Sequence, residues 1–265
     1  MSGTVSGTVG STGGEVLVEA RDGVQVITIN RPEARNAVNG AVARGVSEAL
    51  TELDESDALR VGVLTGAGGT FCAGMDLKGF LSGDLPFVDD RGFGGITQRP
   101  PRKPVIAAVE GYAVAGGFEL TLACDLVVAA AGARFGVPEV KRGLVAAAGA
   151  AMLLPRRIPP AVALEMLLTG DPITADRAAA LGLVNRVTDD GAALGGALEL
   201  AAAIAANGPL AVAVTKQIAY DAEGWSLEER WRRQEELVLP VFGSEDAQEG
   251  AKAFAEKRPP EWKGR

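Results

Sequence analysis

Phe71-Cys-Ala-Gly-Met-Asp76 and Gly111-Tyr-Ala-Val-Ala-Gly-Gly-Phe-Glu119 each read as a strand running through a glycine turn into a helix. Upstream of them, Arg60–Thr65 and Pro104–Val109 are short apolar runs of the buried-strand kind. Such turns leave backbone N–H groups without an intrahelical partner at the helix start. Two of them brought together can hold one oxygen between two donors, as an oxyanion hole does. Glu119 stands three residues after the second turn, and Glu139 follows in the apolar-flanked run Phe135-Gly-Val-Pro-Glu-Val. Paired donors with two carboxylates suggest chemistry at a carbonyl, with proton transfer on either side of it.

Outward from these turns, the chain alternates between strand and helix patterns. Val16–Glu19 and Val24–Asn30 alternate in strand fashion around Asp22-Gly23, which predicts a hairpin. Val38–Ser56 has helical spacing through Val42, Val46, Ala49, Leu50 and Leu53. Lys78–Gln98 lacks a period and reads as a mobile loop with short helical pieces. Asp125–Ala130 and Ala133–Phe135 are further strands. Helices are predicted over Ala146–Leu154, Ala161–Leu168 and Ala175–Leu181, and a last strand over Leu183–Val187. From Ala193 onward the pattern is helical, with a break at Gly208-Pro209. The fold class is therefore α/β, a mixed core followed by a helical layer. The division expected is a disordered tail over 1–14, a core over 15–200 and a helical region over 201–265.

Composition narrows the chemistry. With 265 residues, 47% of them hydrophobic, the chain has ample material for a core. A net charge of −8 argues against a nucleic-acid surface. No histidine is present, which removes Ser-His-Asp and Cys-His catalysis and most zinc sites, so no metal is expected. Cys72 and Cys124 sit in apolar surroundings and read as buried thiols of a reduced cytoplasmic protein. Met1–Gly14 has no apolar run of the signal-peptide kind, and Gly143–Leu154 is too short to span a bilayer, so no membrane partner is expected.

The two turns and two glutamates resemble the crotonase (enoyl-CoA hydratase/isomerase) superfamily, and the likeness runs from about Val16 to the C-terminus. Asn30-Arg-Pro-Glu-Ala-Arg-Asn-Ala-Val-Asn39, Leu181-Gly-Leu-Val-Asn-Arg-Val187 and Ser244–Arg258 also fit, in the same order. The resemblance implies a spiral of ββα units with a C-terminal helical trimerisation region, assembled as a homotrimer or a dimer of trimers. It implies that the N–H groups of Met75 and Gly116 form the oxyanion hole. Glu119 would position and deprotonate water, and Glu139 would supply a proton to carbon two of a 2-enoyl thioester. Coenzyme A enters as part of the substrate, with no separate cofactor. Its carrier portion would lie against Arg35, Ala37 and the turn Ala73, Asp76, Leu77 and Lys78, with Phe254 and Lys257 closing the site from the final helix. Asp76 is expected to cap or brace the turn. Two carboxylates about one water predict a raised pKa for one of them.

Departures from the family pattern bear on the acyl pocket. Gly143-Leu-Val-Ala-Ala-Ala-Gly149 carries methyl groups where a proline- and glycine-rich turn is frequent, and Met75 replaces a frequent alanine. Ile158–Met166 and Phe254–Arg265 resemble the carnitinyl-CoA dehydratase branch, whose substrate carries a quaternary ammonium. Trp225, Trp231 and Tyr220 are the aromatic candidates for binding such a group. Hydration of a trans-2-enoyl-CoA is the leading expectation, and carnitinyl-CoA dehydration is second. A delta isomerase would use one glutamate, and a non-catalytic acyl-CoA-binding homologue would lack one.

Overall fold

The computed structural model describes residues 14–265. The tail expected over 1–14 lies outside the described residues, Gly14 apart. Asp22 and Gly23 close a hairpin in which β1 (Val16–Arg21) pairs antiparallel with β2 (Val24–Ile29). Asn39 then caps α1 (Gly40–Glu55), its side chain accepting the Val42 N–H at 2.9 Å. The helix buries Val42, Val46, Ala49, Leu50 and Leu53, the stripe that its spacing predicts. β3 (Val61–Gly66) lies parallel to β2.

The stretch read as an aperiodic loop is more ordered than its composition suggests. It holds α2 (Leu77–Leu81) and a small hairpin of β4 (Phe87–Val88) and β5 (Gly92–Phe93). The Phe87 and Phe93 rings meet edge to face at 5.7 Å, and Phe93 and Ile96 are buried. Two-residue strands are too short for a period to register, so tertiary burial decides this segment.

β6 (Val105–Val109), β7 (Tyr112–Val114) and α3 (Gly116–Ala123) form one ββα unit. β8 (Leu126–Ala130), β9 (Arg134–Gly136) and, after a 3-10 turn at Pro138–Arg142, α4 (Ala150–Arg157) form the next. The first strand of each unit joins a six-stranded sheet whose first five strands run β1-β2-β3-β6-β8, and the second joins a smaller sheet. This is the spiral that the family resemblance implies. α4 starts four residues later than its pattern predicts. The Ala148 N–H is drawn off to Glu119, and Gly149 sits at φ 126°, so 146–149 remain a turn. The helix then continues through Pro155.

α5 (Pro160–Thr169), β10 (Ile173–Thr174) and α6 (Ala175–Ala180) follow, with β10 completing the smaller sheet beside β9. β11 (Arg186–Thr188) closes the large sheet and is shifted from the predicted 183–187. Asn185 fixes that register: its N–H reaches Val127 O at 2.8 Å and its Oδ1 accepts the Val127 N–H at 2.8 Å.

The large sheet is apolar on both faces, as parallel sheets are. Val61, Val63, Ile106, Ala108 and Val128 face Ala197 and Ala201 of α7 (Ala193–Ala205). Alternate residues Leu64, Val105, Ala107 and Val109 face α1 and the smaller sheet. α8 (Pro209–Asp221), α9 (Arg230–Phe242) and α10 (Glu245–Glu256) complete the chain. Lys216 ties α8 to the core, ion-paired to Asp125 at 2.7 Å. Among the described residues, no single helix is long and apolar enough to cross a membrane.

Candidate active site

The two glycine turns lie against each other. The Cys72 N–H donates to Tyr112 O at 2.9 Å, and Cys72 O accepts from the Val114 N–H at 3.1 Å, so the first turn pairs with β7. A Cβ on Gly74 would stand 2.9 Å from Ala115 Cβ and 3.2 Å from the Gly116 nitrogen, and Gly74 itself sits at φ 100°. A Cβ on Gly117 would overlap the Cys72 carbonyl at 2.1 Å. These approaches admit only glycine.

The other side of the first turn is pinned as firmly. Ala73 N–H donates to Arg35 O at 3.0 Å, Val38 N–H to Gly74 O at 2.8 Å and Asp76 N–H to Val38 O at 2.8 Å. With its neighbours' N–H groups engaged, that of Met75 has no acceptor among the described residues, and neither has that of Gly116. Ala115, just before Gly116, sits at φ 52° and ψ −131°, and its N–H donates to Gly136 O at 2.9 Å. That conformation stores on the order of 1–3 kcal/mol of strain in a residue with a Cβ.

Both glutamates meet the turns at one cavity of about 230 Å³, which Ala73, Met75, Gly116, Glu119 and Glu139 all line. Glu119 projects from the first turn of α3 and is only 4% exposed. Its Oε1 accepts the N–H groups of Ala148 at 2.7 Å and Ala150 at 3.1 Å. Burial pushes its carboxyl up to about 7, against the pull of those N–H groups, while repulsion from Glu139 adds a smaller push. Glu139 rides on the 3-10 turn, and its Oε2 is buried without a hydrogen-bond partner. Its carboxyl is also raised by burial, which outweighs its own backbone N–H and the charge of Arg142. The sequence argument predicts one raised carboxyl, from two carboxylates that share an apolar pocket. Both are raised, and desolvation is the main cause.

The remaining predicted residues divide. Leu77 lines the cavity with Phe87, Phe93, Leu144 and Val145. Asp76 braces the turn: its Oδ1 caps α2 through the Lys78 and Gly79 N–H groups, and its Oδ2 pairs with Arg31 at 2.9 Å. The hydrogen bond from Arg31 holds the Asp76 carboxyl below its ordinary value. Arg35, Ala37 and Lys78 stand beside the turn without lining the cavity, and Arg35 and Lys78 are exposed. Phe254 and Lys257, at the end of α10, do not reach the cavity within the chain. Trp225, Trp231 and Tyr220 are also absent from its wall. The Tyr220 hydroxyl donates instead to Asp125 at 2.9 Å, and the aromatic lining comes from Phe87 and Phe93.

Sequence reasoning includes Arg31 and Asn36 in the family-like run Asn30–Asn39 but misses their bracing role. Asn36 is buried at φ 56°, accepts the Arg31 N–H at 2.9 Å, and donates to Ala67 O at 2.8 Å and Thr70 O at 2.6 Å. It thereby ties the segment after β2 to the approach of the first turn. Nothing local in that run marks Asn36 as a buried clamp, and exposed asparagines look the same.

The profile of the enoyl-CoA hydratase/isomerase family matches residues 19–265. Carnitinyl-CoA dehydratase of Proteus mirabilis is 43% identical over 253 residues, covering 92% of this chain and 97% of that protein. Enoyl-CoA hydratase EchA19 of Mycobacterium tuberculosis is 42% identical over 261 residues, covering 96% and 98%. The crystal structure of enoyl-CoA hydratase EchA1 from Mycobacterium marinum superposes with a TM-score of 0.93 at 58% identity, covering 95% of this chain and 99% of that one.

Proposed function

This chain belongs to the enoyl-CoA hydratase/isomerase family, and we propose that it adds water syn across the 2,3 double bond of a trans-2-enoyl-CoA, as a hydro-lyase. The observation that carries this reading is the convergence of two unengaged N–H groups and two raised carboxyls on one cavity. Ionised Glu119 accepts a proton from water as the oxygen bonds to carbon three. The π electrons move onto the thioester oxygen, where the Met75 and Gly116 N–H groups stabilise the enolate by roughly 3 kcal/mol per donor. Protonated Glu139 then delivers its proton to carbon two as the carbonyl re-forms. Return of a proton from Glu119 to Glu139 through solvent resets the pair.

In the same reading Arg35 and Lys78 meet the carrier's phosphates. Phe254 and Lys257 close the site of a neighbouring subunit in a homotrimer or dimer of trimers. The two free buried thiols suit a cytoplasmic enzyme. Loss of enoyl-thioester absorbance with crotonyl-CoA is the test. Turnover that falls by about 10²-fold or more in both Glu119→Gln and Glu139→Gln supports the two-carboxylate hydratase. Hydration that survives one substitution overturns the two-carboxylate mechanism, and no turnover by wild type points to crotonobetainyl-CoA and then to isomerase substrates. The similarity to the Proteus mirabilis dehydratase favours a second reading, in which crotonobetainyl-CoA is the substrate.

A further inference from the structure

Arg142 ends the 3-10 turn Pro138–Arg142, three residues after Glu139. Side chains at i and i+3 eclipse in a 3-10 helix, so Arg142 and Glu139 leave from one edge, and both line the cavity. Lys141, between them, turns away to pair with Asp171. Arg142 has no ion-pair or hydrogen-bond partner among the described residues. Around it the rim is apolar: Leu144 and Val145 follow on its own loop, and Leu77 and Phe87 also belong to the lining. An exposed guanidinium that shares its edge with Glu139, and makes no ion pair or hydrogen bond among the described residues, favours an anionic group on a ligand at the cavity rim, which it grips by paired N–H bonds. The same charge repels a cation.

We propose that Arg142 sets specificity for the far end of the acyl chain, so that the site prefers a 2-enoyl thioester ending in a carboxylate over one ending in a quaternary ammonium. This rests on the acyl-thioester reading above and runs against the crotonobetainyl alternative. The guanidinium could serve the carrier's phosphates instead, and the experiment separates the two.

Calorimetric dissociation constants for glutaryl-CoA, butyryl-CoA, 4-trimethylammoniobutyryl-CoA and free coenzyme A are measured on the full chain. The wild type is compared with Arg142→Met, Arg142→Gln and Arg142→Lys. The expected result is that wild type binds glutaryl-CoA at least tenfold tighter than the ammonium analogue. Arg142→Met and Arg142→Gln bring that ratio to near one, and Arg142→Lys retains part of it. A wild-type ratio near one, or a preference for the ammonium, overturns the proposal. So does an equal loss for all three thioesters and free coenzyme A, which places the guanidinium on the carrier. These saturated analogues bind without reacting, so a preserved ratio in a chain that hydrates no enoyl thioester sinks the hydratase reading alone. Brisk hydration of crotonyl-CoA with no binding preference sinks the Arg142 proposal alone.

Discussion

Glu119 is kept in water-poor surroundings by two backbone N–H groups that favour its charge and an apolar wall that opposes it, and the wall prevails. The folded protein therefore holds this proton more tightly than the unfolded chain does. Stability is favoured below about 4.5 and falls as pH rises towards about 7. Glu119→Gln lacks this slope, so urea titrations should find it more stable than wild type at pH 8 by on the order of 2 kcal/mol, with the difference vanishing at pH 4. If Glu119 is the base of the proposed mechanism, kcat/KM of wild type climbs through about 7 as it ionises. Asn36→Ala should cost roughly 1–2 kcal/mol in the same titrations, because it removes a buried side chain that bonds the half-buried Ala67 and Thr70 carbonyls. The two glutamates were legible in the sequence from their turns and apolar neighbours. Asn36 was not, since its value lies in carbonyls 31 and 34 residues away along the chain.

At the scale of elements, β8 and α8 are joined by an uncommon knot of polar groups. Asp125 accepts from the Val105 N–H at 2.7 Å, Lys216 Nζ at 2.7 Å and the Tyr220 hydroxyl at 2.9 Å. Removing Asp125 leaves the largely shielded Lys216 ammonium without its counter-charge and the Val105 N–H without its acceptor. Asp125→Ala should lose about 3–5 kcal/mol of unfolding free energy, and Tyr220→Phe about 1 kcal/mol. Amide exchange should show α8 opening ahead of the sheet in the first variant. Elements with long apolar periods, such as α1 and β3, stood where the sequence placed them. The hairpin of β4 and β5 did not, because two aromatic rings 5.7 Å apart leave no periodic trace. α4 began late because its first residues serve Glu119, a long-range demand that local spacing does not register.

The whole molecule leaves apolar surface uncovered on its last helices. Trp231 is 68% exposed, Phe242 73% and Phe254 87%. Surface of that kind is available for the contacts between copies that the proposed assembly requires. Sedimentation should find trimers or dimers of trimers, and Trp231→Glu combined with Phe242→Asp should shift the chain towards monomers. The helical layer was readable from the residue pattern, whereas the assembly proposed for it rests on family likeness, since a single chain carries no record of its copies. The carboxyl of Glu119 has one more consequence. In a chain without histidine, no imidazole buffers the neutral range. Heats of thioester binding taken in two buffers of unlike ionisation enthalpy then count the protons gained or shed per ligand, and the difference between wild type and Glu119→Gln isolates the share of that carboxyl from that of the ligand's phosphates, without any turnover at all.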